Sequence, residues 1–94
     1  MELQNEDLAI KVASFIKREH PRLKSLKWVR DVRINASIND IFDYDSVYNH
    51  LKKPTDGIEF VFSTSYFIYD INKNTLERRS TNSEGDIRKF KNVI

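Results

Sequence analysis

Residues 58–71, IEFVFSTSYFIYDI, constrain the fold more than any other stretch. Ile58, Phe60, Phe62, Tyr66 and Ile68 fall on one parity, and Val61, Phe67, Tyr69 and Ile71 on the other. Side chains alternate across a strand, so this segment is apolar on both faces. A sheet covered on one side alternates between apolar and polar residues, and this one does not. The segment reads as one long strand or as a hairpin breaking at Ser63-Thr64-Ser65. A typical strand runs five or six residues, so the hairpin is preferred.

The flanking sequence supplies candidate partners. In residues 5–20, NEDLAIKVASFIKREH, Leu8, Val12, Phe15 and Ile16 recur at helical spacing, with Ala9 and Ala13 beside them. Asn5 stands at the N-cap position, Glu6 and Asp7 suit the positive end of the helix dipole, and Lys17 and Arg18 suit the negative end. Pro21 disfavours helix at His20. Ile10 lies off the stripe. Residues 26–34, LKWVRDVRI, alternate with period two, placing Leu26, Trp28, Val32 and Ile34 on one face, with Arg30 the polar exception. Ala36 and Ile38 extend that strand past a bend. Residues 45–53 read as a short helix, PTDG at 54–57 as a turn, and Thr75 to Arg79 as a returning strand after the turn at 72–74. Residues 86–94 read as a short helix with Ile87, Phe90 and Ile94 on one side.

The expected architecture is one α+β domain over 1–94, with 80–94 as a loosely docked C-terminal segment. An N-terminal amphipathic helix packs on a mostly antiparallel sheet of about four strands, and a short helix separates strands 1 and 2. No long helix lies between strands, which argues against parallel crossovers. The element order resembles that of double-stranded RNA-binding domains. Asp86-Ile87-Arg88-Lys89 replaces the lysine-rich start of their last helix, so no membership follows from that order.

Charge is segregated. The net +2 divides into −2 over residues 1–16, +5 over 17–33, −4 over 40–70 and +3 over 71–94. The second block holds seven of the sixteen basic residues and the only tryptophan. A single-strand stacking platform needs rings and cations on one surface. Here Trp28 shares parity with the apolar residues, while Lys27 and Arg33 share the other. The expectation is a core indole beneath the first helix, with the cations facing solvent. Lys17, Arg18, Arg22, Lys24, Lys27 and Arg33 then form a candidate phosphate-contacting patch. Arg30 lies on the apolar parity, so either a bulge turns it outward or it pairs with a carboxylate such as Asp43, Asp45, Glu59 or Asp70.

Catalytic and metal signatures are missing from the sequence. There is no cysteine, and His20 and His50 are the only histidines, both expected at the surface. From Asp43 the spacing puts Val47 at a calcium-ligand position and Tyr48 where the loop glycine belongs, so the EF-hand reading fails. Two glycines leave no glycine-rich phosphate loop. The N-terminal MELQNEDL lacks a positive region followed by an apolar one, and the cytoplasm is the expected location, with no membrane partner.

The sequence thus predicts a non-enzymatic protein with no cofactor and no bound metal. The first function class is a protein-binding module: an inhibitor, adaptor, immunity-type or regulatory protein. Its partner would be another protein, held by an aromatic surface of Tyr44, Tyr48, Phe67 and Tyr69, or a second copy of the chain paired through an open sheet edge. The scarcity of alanine beside abundant Lys, Asn and Ile suits an AT-rich genome such as that of a phage. The alternative class is nucleic-acid binding through 17–33.

Overall fold

The computed structural model describes residues 5–22, 28–32, 36–37, 54–62, 65–80 and 87–94. One helix, α1 (Glu6–Glu19), precedes six strands: β1 (Trp28–Asp31), β2 (Ala36–Ser37), β3 (Gly57–Phe62), β4 (Ser65–Asp70), β5 (Thr75–Ser80) and β6 (Ile87–Lys91). They form a single sheet in the order β2-β1-β3-β4-β5-β6, every neighbouring pair antiparallel. The α+β class matches the sequence expectation, with six strands where about four were expected. No helix among the described residues is long and apolar enough to cross a membrane.

The 58–71 segment is a hairpin. Phe62 pairs with Ser65 and Gly57 with Asp70, so only residues 63 and 64 connect β3 to β4. That register puts Ile58, Phe60, Phe62, Phe67 and Tyr69 on one face, and Val61, Tyr66 and Ile68 on the other. The first set joins Ala9, Val12, Ala13 and Ile16 of α1, together with Val29 and Leu76, in the main core. Ala9 and Ala13, expected to flank the helical stripe, lie in its buried part with Val12 and Ile16, while Leu8 and Phe15 are half-buried at its margin. Ile10 is exposed. Asn5 accepts from the Ala9 N–H through its backbone carbonyl, and its side chain makes no capping bond.

Trp28 is buried, but not beneath α1. It pairs with Val61 and clusters with Val61, Tyr66 and Ile68 on the sheet face opposite the helix. Val29, the apparent exception to the alternation, lies on the α1 face of β1, which buried Asp31 shares. The parity of the strand was legible in its sequence. The assumption that only one face is buried reversed its orientation, because both faces carry core. Ala36 does not extend β1 either: β2 turns back and pairs with it, Asp31 opposite Ala36.

The C-terminal segment is also a strand, not a helix. A nine-residue helix is marginal without strong packing, whereas β5 offers a row of backbone groups that β6 pairs from Thr75↔Lys91 to Arg79↔Ile87. Phe90 consequently points toward α1, while Ile87 and Ile94 are exposed. The end of this segment is docked by Asn74, whose positive φ of 53° suits the β4–β5 turn. Its side-chain oxygen accepts from Tyr69 Oη at 2.7 Å and from the Ile94 N–H at 3.2 Å. Its amide nitrogen donates to the Ile94 carbonyl at 3.0 Å. Gly57 is required for a different reason. A Cβ there would lie 2.6 Å from the Tyr69 carbonyl oxygen and 2.7 Å from Pro54 Cγ.

Candidate functional site

The last two strands concentrate charge on one side of the molecule. β5 carries Arg78 and Arg79, and β6 carries Arg88, Lys89 and Lys91, with Glu77 the only carboxylate in either strand. Alternation sends these cations to both faces. Leu76 pairs with Phe90 on the α1 side, and therefore Arg78 and Arg88, directly opposite each other, lie on that side too. Arg79, Lys89 and Lys91 lie on the reverse face.

On the α1 side the strand arginines meet the basic end of the helix. The His20 ring packs 5.5 Å from Phe67 and 5.9 Å from Phe90. Phe90 makes an edge contact with Phe15 at 5.8 Å, and the Arg18 guanidinium lies 5.2 Å from the Phe15 ring centroid. Burial lowers the His20 pKa, and the fields of Arg78 and Arg88 lower it further, against an opposing contribution from Glu19. His20 is thus half-buried and ringed by aromatics and arginines, unlike the surface residue expected from sequence. Lys17, Arg18 and Arg22 are exposed around it. Arg78 reaches Ser65 Oγ at 3.2 Å.

The reverse face holds a groove of about 450 Å³. Its charged walls are Lys73, Arg79, Lys89 and Lys91, with Asp70 and Glu77. Both carboxylates are engaged internally. Glu77 pairs with Arg79 at 3.0 Å, and Asp70 accepts from the Asn72 and Lys73 backbone N–H groups at 3.0 and 3.2 Å. Among the described residues Lys73, Lys89 and Lys91 have no ion-pair partner.

The candidates chosen from sequence fare unevenly. Lys17, Arg18 and Arg22 are exposed at and just beyond the end of α1, while Lys24, Lys27 and Arg33 lie outside the described residues. Their structural complement is Arg78 and Arg88, which the sequence reading did not select. The signal was present in the +3 balance of residues 71–94, and reading 86–94 as a helix concealed the alternation that sorts these cations by face. Phe67 and Tyr69, candidates for an aromatic surface, are buried in the main core under α1, at 0% and 3% exposure. Tyr69 is oriented inward by its bond to Asn74, and its phenol pKa is raised by burial and then by Asp70. Tyr44, Tyr48, His50 and the helix expected at 45–53 lie outside the described residues, as do Asp43 and Asp45. Arg30 packs 5.8 Å from the Trp28 ring, and the register sets it directly opposite buried Glu59.

No group of three or more potential metal ligands occurs among the described residues. No protein-family model, curated protein or solved structure matches the chain.

Proposed function

We propose that this protein binds nucleic acid through its phosphate backbone, using the surface where the end of α1 meets β5 and β6. The observation that carries this reading is that Arg78 of β5 and Arg88 of β6, directly opposite each other, act on His20 at the end of α1, where Lys17, Arg18 and Arg22 are exposed. Contacts of this kind position a ligand without reading bases. The small net charge of +2 fits weak, salt-sensitive association, with Kd on the order of 10⁻⁴ to 10⁻⁶ M at physiological salt.

A labelled single-stranded oligonucleotide, followed by fluorescence anisotropy across a salt series, tests this. Five phosphate contacts give a slope of log K against log salt of about −3.5, and Arg22→Glu with Arg88→Glu lowers its magnitude by about 1.4. The double variant should also weaken binding more than tenfold at low salt. Absence of wild-type binding at low salt would remove the proposal. Tight binding of an acidic polypeptide in place of the oligonucleotide would reassign the surface to a protein partner.

A further inference from the structure

We propose that the groove on the reverse face of β5 and β6 is a subsite for one nucleotide unit, with its phosphate on Lys73, Lys89 and Lys91 and its base against Pro54. The groove's volume of about 450 Å³ falls within the range of small-ligand pockets, about 300–1,000 Å³. Its electrostatics are asymmetric in a specific way. Glu77 pairs with Arg79 and stands opposite Lys89, and the turn backbone holds Asp70, so four cations line the groove against two carboxylates and leave it net positive. Lys73, Lys89 and Lys91, with no ion-pair partner among the described residues, line one concavity, which suits a compact dianion. Half-buried Pro54 adds an apolar wall, which a bare phosphate would leave unused but a flat heterocycle would cover. The ligand class is therefore a nucleoside phosphate.

Such a unit has two sources: a free nucleotide, or one residue of a strand whose backbone crosses the β6 edge from the α1 side. The second source rests on the function proposed above, and the first does not.

Amide chemical shifts of the labelled full chain, titrated with adenosine 5′-monophosphate, adenosine and inorganic phosphate, test the subsite. The monophosphate should shift the amides of Lys73, Glu77, Arg79, Lys89 and Lys91 at concentrations where adenosine and phosphate alone do not. Lys89→Gln with Lys91→Gln, both exposed positions on an edge strand, should reduce that binding at least tenfold. If the monophosphate shifts no more than inorganic phosphate does, or binds the double variant unchanged, the subsite does not exist. Oligonucleotide anisotropy then separates the sources. A strand source predicts that the Lys89/Lys91 variant weakens the oligonucleotide severalfold, and a free-nucleotide source predicts no change. Loss of oligonucleotide binding in Arg22→Glu/Arg88→Glu together with a silent monophosphate titration would leave the proposed function standing and refute the subsite alone.

Discussion

Replacing Phe67 with alanine separates two accounts of the hairpin. If Phe67 formed part of an exposed aromatic surface, truncation would abolish partner capture and leave stability nearly untouched, within about 0.5 kcal/mol. The structure places it at 0% exposure in the main core. Its ring meets Phe62 edge-on at 5.7 Å and His20 at 5.5 Å. Burying and then deleting a phenylalanine costs about 3–5 kcal/mol, and loss of two ring contacts puts this site near about 4–5 kcal/mol. A domain of 94 residues has on the order of 5–10 kcal/mol in total, so about half would be lost. The thermal midpoint should fall by about 16–40 °C, and a urea midpoint by about 2 M for a slope of roughly 2 kcal/mol/M. Circular dichroism during heating and urea titration reads both. A loss below about 1 kcal/mol would refute the placement of this ring in the core, and with it the register of β3 against β4.

Tyr69→Phe removes only the hydroxyl that donates to Asn74 and should cost about 1 kcal/mol, checked by urea denaturation. Asn74→Ala removes that acceptor, both bonds to Ile94 and a side chain tolerant of φ 53°, and should cost about 2–3 kcal/mol while deprotecting the Val93 and Ile94 amides to hydrogen exchange. The depressed His20 pKa sets a pH dependence of known sign. The unfolded chain binds a proton more readily than the folded one, so the contribution is complete above about pH 6.5 and is lost as pH falls through the lower folded value. His20→Phe should flatten the stability profile in that window, and a slope that persists unchanged would show that another group is responsible.

How much was legible in the sequence depended on which force decided each element. The helix and the 58–71 hairpin were readable because their periodicities are strong and local. The facing of β1 was not, since alternation reports which residues share a side and never which side α1 occupies. Val29 and Trp28 both occur in apolar clusters, and only the pairing of Trp28 with Val61 assigns them to opposite faces. Residues 86–94 were misread because Ile87, Phe90 and Ile94 satisfy a helical spacing by chance, while the deciding interaction is non-local pairing with β5. The same error hid Arg88 from the basic surface. Phe67 and Tyr69 looked available because a doubly apolar strand is ambiguous between buried core and exposed patch, and the helix over the sheet resolves the ambiguity for these two.

The central claim is that cations remote in sequence form one anion-binding surface at the junction of α1, β5 and β6. Mapping amide shifts of the full chain on addition of a single-stranded oligonucleotide tests its location most directly. The account predicts changes centred on Arg18, His20, Arg22, Arg78 and Arg88, fading as salt is raised. Changes centred on the first turn of α1 or on Trp28 and Arg30 of β1 would contradict it.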